Sequence, residues 1–592
     1  MIKIKYCFHL YKERARYTVA TISCSLPVYD VQKKLQANAE KILSKEFGES
    51  TEIHFDVSLD EIHGDLTTSA ALQLAKKLKK KPHDIAKVLA DGLSSTEGVL
   101  KTEVAGPGFV NVTLTTEALL REIPHVRSSC SAKKKRKEAP VIVEYSQPNI
   151  AKPLGIHHII GTVVGQAVSN LYEFSGYPVI RWNYIGDWGT QFGKLAVAKE
   201  KWSPTKETLS MTLTDLLELY VKFHEEVEKD ATLEDQGREA FLRLEKGDKA
   251  LLAFWKDVVT VTKSSLAHLY ERLHVSFDLD LGESFYSDKM DSILKDGEQK
   301  KVFVEGKEGS LIVEFPEESG MPPYLVRKGD GATLYSTRDI AQMRYRMDTY
   351  NPQSILIFTD IAQKLHFQQL VETCRRLGWE LPAFENVLFG RMRFADRSMS
   401  TRKGNILRLE EALDEAVSRA EKLIEERGEK IQTDDPKGLA EMMGVGSLVY
   451  GILSQNRKMD MVFDWDKMLS FEGNSAPYVQ YTHARARSVL RKAGEEGKAA
   501  AVDTLTSRER LLLKLLLSFD DTVESARREH LPHKLTNYLY DLCQAFNSFY
   551  SSDAILTAEG QTRELRLLFT ALTAEVLKCG AELLTLRVPD RM

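Results

Sequence analysis

Residues 141–145 (VIVEY) form a short, almost wholly apolar run, and residues 179–185 (VIRWNYI) form a second. Between them Val164, Ala167, Val168, Leu171 and Phe174 recur at helical spacing, and a Ser-Gly-Tyr turn at 175–177 closes the stretch. Strand, crossover helix and strand in that order pair in parallel, because antiparallel neighbours need only a tight turn. A parallel sheet has to be covered on both faces, so this unit commits the chain to an α/β core. Pro148 and Pro153 keep the loop after the first strand extended. That loop lacks GxGxxG, which removes the main support for a dinucleotide site.

A chain of 592 residues exceeds one ordinary core, and its length suggests about three to four domains. Residues 1–130 read as a small α+β unit. Apolar alternation at 51–58 and 104–114 marks strands, and two helical stretches within 70–90 are separated near Pro82. Residues 128–137 read as a linker. The α/β core spans 138–405, with strands returning at 354–358 and 386–390 and a charged, helical insertion over about 194–320. From 406 to 592 the pattern is almost wholly helical, as in a bundle.

Two segments carry candidate chemistry. The first, 146–158 (SQPNIAKPLGIHH), takes a lysine, an asparagine and two histidines from a strand to a helix start, where free N–H groups favour phosphate. The second, 398–405 (SMSTRKGN), sets hydroxyls and two cations beside a glycine. Such a loop can close over a triphosphate and hold charge on departing pyrophosphate. Each also has a bland reading, as a capped helix start and as a solvated basic turn. The runs KKLKKK (76–81) and KKKRK (133–137) are by themselves solvated surface and linker. With a net charge of −4, any nucleic acid has to be held by local patches.

Taken together, the two loops resemble those of class I aminoacyl-tRNA synthetases. Further segments narrow the resemblance to arginyl-tRNA synthetases: Gly64-Asp65-Leu66, GPGFVN (106–111), PNIAKP (148–153), NYIGDWGTQFG (183–193), LYSTRD (334–339), QKLHF (363–367), MSTRKGN (399–405), PYVQYTHAR (477–485) and the final VPDRM. The resemblance implies a Rossmann-type catalytic domain between an N-terminal α+β domain that meets the tRNA elbow and a C-terminal all-α anticodon-binding bundle. It implies that arginine is activated with ATP, magnesium accompanying the nucleotide, and then passed to the terminal adenosine of tRNA(Arg). By similarity Asn149, Glu283, Tyr335, Asp339 and Gln363 hold arginine. Lys152, Gly155, His158, Met399, Ser400 and Lys403 hold ATP, and Lys152, His157, His158, Arg402 and Lys403 serve catalysis. Phe109, Asn111, Tyr478, Gln480, Tyr481 and His483 fall on tRNA-facing positions. A guanidinium suits such a pocket, since its five donors saturate carboxylates from several directions. Without the resemblance, Asp339 reads as a helix-start charge and Tyr335 and Phe109 as core.

The chain departs from the family at the first motif. His-x-Gly-His is replaced by Gly155-Ile156-His157-His158, so the first histidine is missing and a side chain stands where glycine usually is. Ser398 replaces the lysine that usually leads the second loop. The expectation is that His157 or Lys152 makes up for Gly155; the alternative is a catalytically silent tRNA-binding paralogue. A synthetase for another amino acid is disfavoured, since no Cys/His zinc set is present: Cys7, Cys24, Cys130, Cys374, Cys543 and Cys579 are scattered. The scattered cysteines and the lack of an apolar span of ~18 residues suggest a cytoplasmic protein, and the resemblance suggests a monomer. No metal cage is expected.

Overall fold

The computed structural model describes residues 30–394, 407–428 and 431–592. Contacts divide the chain into two units. One comprises Met1–Ser131, Tyr478–Gly580 and Val588–Met592; the other comprises Ala132–Pro477 and Ala581–Arg587.

In the first unit, α1 (Asp30–Phe47) buries Leu35, Ala39 and Leu43, one apolar stripe at four-residue intervals. Strands β1 (Asp56–Val57), β2 (Leu66–Thr68), β3 (Val99–Ala105) and β4 (Phe109–Leu114) form an antiparallel sheet ordered β1-β2-β4-β3. Helices α2 (Ala70–Leu78) and α3 (Pro82–Leu93) pack with it. They separate where the sequence suggests: Lys79 caps the first in a left-handed conformation and Pro82 opens the second.

The second unit carries β5 (Val141–Glu144), α4 (His158–Phe174), β6 (Val179–Asn183), β7 (Leu279–Asp280), β11 (Ser354–Asp360) and β12 (Ala383–Phe389). Five of these are strands of one sheet, ordered β12-β11-β5-β6-β7 and parallel throughout. The chain starts in the middle of the sheet, winds to one edge and returns to the other, which opens a crevice between β5 and β11 at their carboxyl ends. All four residues of β5 are buried. The basic linker is not free: Lys133 N–H donates to Phe174 O and Arg136 N–H to Gly176 O, along the end of α4.

The span expected to be a helical insertion is more mixed. It does hold four helices between Thr190 and Arg272. It also contains β7, a strand of the main sheet, and the start of a small antiparallel sheet of β8 (Val304–Glu305), β9 (Leu311–Val313) and β10 (Tyr324–Arg327). Strands of two or three residues are too short to show a period. The helical region expected from 406 is also divided: β14 (Met461–Phe463) pairs in parallel with β13 (Met392–Phe394), and residues up to Pro477 belong to the second unit.

Candidate active site

The loop after β5 is built under local constraint. Ser146, Gln147 and Ala151 all have positive φ (73°, 53° and 62°), a conformation that L residues adopt only when neighbours enforce it. The enforcement is visible. Gly186 N–H donates to Pro148 O and Gly186 O accepts from Ile150 N–H, so Asn149 lies bridged to Gly186. A Cβ at position 186 would collide with the Asn149 side chain, which is why the motif needs glycine there.

The loop then delivers Gly155, His157 and His158 to the start of α4. His158 Nδ1 lies 3.0 Å from Gly155 N and 3.1 Å from its carbonyl oxygen, and the two imidazoles are 4.0 Å apart. Burial pushes His158 down to about 4, with His157 adding to the shift, and burial likewise lowers His157. Both rings are therefore neutral near pH 7. Ile156 N–H donates to Leu407 O and Leu409 N–H to Leu154 O, so the histidines sit beside the chain as it leaves the second loop. Met399, Ser400, Arg402 and Lys403 themselves lie outside the described residues.

A cavity of about 520 Å³ opens at this point. Its walls come from the loop after β5 (Ser146, Gln147, Asn149), the first turn of α4 (His157, His158, Gly161), the end of β11 (Phe358–Asp360) and the end of β12 (Phe389). Gly161 keeps the floor open: a Cβ there would stand 3.1 Å from the Phe389 ring. An adjoining cavity of about 840 Å³ shares Asn149, His157 and His158, and adds Lys152 and the acidic face of a neighbouring helix (Glu218, Glu225, Glu226). Lys152 Nζ lies 4.9 Å above the Tyr220 ring, a cation–π contact that aims an otherwise loose side chain.

Of the expected arginine-binding residues, Asp339 and the turn that bears Glu283 are braced by neighbours. Tyr335 and Asp339 are one helical turn apart in α5 (Tyr335–Tyr350), Tyr335 59% exposed and Asp339 8%. Asp339 Oδ2 is 2.6 Å from His366 Nε2, and Tyr324 OH is 3.1 Å from His366 Nδ1. A carboxylate can only accept, so Nε2 donates to Asp339. Glu283 sits on a turn fastened by Asp187, which accepts from Ser284 N–H and Ser284 Oγ at 2.8 and 2.7 Å. Gln363 lines the smaller cavity. Glu283 is pushed up to about 7 by burial; Arg338, 3.8 Å away, pulls against this and Asp339 and Asp187 add to it. Sequence reasoning missed these supports. His366 was legible in QKLHF, but nothing in the sequence ties it to Asp339.

Three family models match: tRNA synthetases class I (R), catalytic domain, over residues 122–465; arginyl tRNA synthetase N terminal domain over 30–114; and the DALR anticodon binding domain over 479–592. The chain belongs to the arginyl-tRNA synthetase family. An arginine–tRNA ligase of Fusobacterium nucleatum is 38% identical over 544 residues, which cover 91% of this chain and 95% of that one. One from Clostridium kluyveri is 38% identical over 529 residues, 88% of this chain and 93% of the relative. The arginyl-tRNA synthetase of Thermus thermophilus superposes with a TM-score of 0.78 at 26% identity, covering 95% of this chain and all of that one.

Not every residue that the family resemblance marks for tRNA lies at the surface. Phe109 is 37% exposed at the start of β4, and Gly108 beside it packs on Pro82, next to the lysine run. Asn111 is buried and accepts from Thr67 Oγ1 at 2.9 Å. In the helix Ala476–Ala493, Gln480 and His483 face inward, and His483 Nδ1 donates to Pro589 O. Tyr478 and Tyr481 lie three residues apart on a partly exposed face, Tyr481 with Arg485 4.8 Å over its ring. Helical spacing explains the split: 480 and 483 share the stripe of Ala476 and Val479, whereas 478, 481 and 485 share another.

Proposed function

We propose that the chain runs the family's two-step reaction with a variant phosphate site in which His157 takes the place of the missing first histidine. As an arginine–tRNA ligase it joins arginine to ATP, releases pyrophosphate and transfers the arginyl group to the terminal adenosine of its tRNA. What carries the reading is that Asn149, His157 and His158 line both adjoining cavities, the arrangement needed for an in-line attack between nucleotide and amino acid.

In this reading adenosine occupies the crevice between the ends of β5 and β11, against Gly161. Asn149 holds the amino-acid end of arginine, and Lys152 neutralises phosphate charge. Neutral His157 and His158 donate hydrogen bonds to phosphate oxygens as charge builds there. Magnesium enters as part of MgATP, held by phosphate and water oxygens. Asp339, Glu283, Tyr335 and Gln363 receive the arginine side chain. Phe109, Tyr478 and Tyr481 stack on or hydrogen-bond exposed tRNA bases, whereas Asn111, Gln480 and His483 hold the surfaces that present them. Free buried thiols at Cys374 and Cys543, and the lack of any membrane-crossing helix among the described residues, support work in the cytoplasm. We take the working form to be a single chain.

Glu283 makes arginine binding depend on pH. A carboxyl raised to about 7 is largely neutral below that pH and attracts no guanidinium; above it the charge is restored. The KM for arginine is expected to fall about tenfold between about pH 6 and pH 8 and then level off. His158 does not titrate in that window. Steady-state charging at fixed ionic strength checks this, and Glu283→Gln should flatten the profile.

The test of the whole reading is charging of tRNA by purified protein with labelled arginine, with lysine and citrulline as controls. His157→Ala should slow turnover by about 10- to 100-fold at an unchanged arginine KM. A full rate in that variant would refute the variant-motif reading. Bound tRNA with no arginine charged would leave the silent paralogue as the better account.

A further inference from the structure

Tyr184 is the first residue past β6, and the chain that follows it runs between the loops already described. Ile185 O accepts from Glu283 N–H at 3.0 Å, and Gly186 is bridged to Asn149. The backbone after Tyr184 is therefore tied on one side to the turn bearing Glu283 and on the other to the loop bearing Asn149. Its ring packs against Tyr286, with centroids 6.1 Å apart. Its hydroxyl is shielded from solvent and has no hydrogen-bond partner among the described residues. Burial, with the negative charges of Asp339, Glu283 and Glu144 adding to it, keeps the phenol neutral.

An unpartnered buried hydroxyl is costly, and a ligand that completes it offsets that cost. Tyr286 OH is also unpartnered among the described residues; it stands in the same short turn as Glu283, but the charges that act on it most are the internal pair Arg346 and Glu144. Tyr184 joins this condition to the carboxylates assigned to arginine, and as a hydroxyl it can accept where an arginine N–H can only donate. We propose that the Tyr184 hydroxyl is a specificity contact for the arginine side chain, accepting one N–H of the guanidinium.

The chemistry favours a phenol at this point. A guanidinium presents five donors in a plane, more than two carboxylates readily saturate. A further acid among Asp339, Glu283 and Glu144 would suppress ionisation of Glu283, whereas a hydroxyl supplies an acceptor without charge. The inference rests on the assignment of Asp339 and Glu283 to arginine, and the experiment separates the two.

Tyr184→Phe removes one oxygen and keeps the ring. In the full-length enzyme, charging should show the KM for arginine raised about 10- to 100-fold, the loss of one hydrogen bond to a charged group. Turnover number, KM for ATP and melting temperature should stay close to those of the parent. Asp339→Asn is measured alongside. If Asp339→Asn raises the arginine KM and Tyr184→Phe does not, or Tyr184→Phe only lowers the melting temperature or the turnover number, the Tyr184 contact is overturned and the pocket stands. If neither variant moves the arginine KM, the pocket assignment itself falls.

Discussion

Asp339→Asn is expected to lower kcat/KM for arginine by about 10² to 10³-fold while leaving the KM for ATP close to that of the parent. Breaking a buried charge pair by removing one partner costs about 3–5 kcal/mol, and each ~1.4 kcal/mol is a factor of ten. The Asp339 carboxylate has 12% of its side-chain surface exposed, so solvent does little to screen it. Asparagine has the same shape and can still accept from His366 Nε2, which now bonds the acid at 2.6 Å. The α5 start, the Tyr324–His366 contact and the melting temperature are thus expected to survive, and the loss to fall on arginine alone. Steady-state charging with arginine and ATP varied separately decides it. An unchanged KM for arginine would remove Asp339 from the pocket, and an equal rise in the KM for ATP would point to a collapsed site rather than a missing charge.

What could be read in the sequence follows from what has a short-range signature. The βαβ unit announced itself because strand and crossover helix differ in period, and the structure places Ile142, Val143, Ile159 and Val163 in the buried core. The residues proposed to meet phosphate could be picked out because loop and helix start are contiguous in the chain. Strand β7 was not: two residues, Leu279 and Asp280, carry no period, and only pairing with Trp182 and Asn183 makes them a strand. The supports of the residues proposed to hold arginine were hidden for a similar reason. His366 lies 27 residues from Asp339, and Ser284 lies 97 from Asp187, so each contact exists only after folding. Inward and outward faces of the Ala476–Ala493 helix were legible in principle. The apolar stripe through Ala476, Val479, Ala486 and Val489 assigns Gln480 and His483 to the buried side.

The other large effect lies in the first unit, where Gly64-Asp65-Leu66 turns out to be structural. Asp65 is 1% exposed at the start of β2. It accepts from Leu114 N–H at 2.7 Å and from Arg510 Nε at 2.8 Å, and Lys514 Nζ stands 3.7 Å away. Arg510 and Lys514 belong to the helix Ser507–Leu517, and Lys514 also donates to Ser58 O and Gly64 O. One acid thus fastens the N-terminal sheet to a helix more than four hundred residues later in the chain. Asp65→Ala would leave one fully and one partly buried cation facing an empty site, a cost of about 3–5 kcal/mol. With a denaturant slope of about 2–3 kcal/mol per molar urea, the midpoint for this unit should fall by about 1–2 M. The chain supplies its own way to see this. All six tryptophans lie between residues 182 and 465, inside the second unit. Tryptophan fluorescence therefore follows the catalytic unit, while far-ultraviolet circular dichroism follows the helices of both. In Asp65→Ala the dichroism curve should gain an early transition and the fluorescence midpoint should move much less. Coincident curves shifted together would mean that Asp65 supports the whole chain, and an unshifted dichroism curve would mean that the buried cations find water or other partners once the acid is gone. A triple change, Asp65→Leu with Arg510→Met and Lys514→Met, separates charge from packing. If the cost comes from stranded cations, the triple variant recovers most of the lost stability, because apolar side chains of similar volume can replace a buried ionic cluster without leaving a charge unpaired.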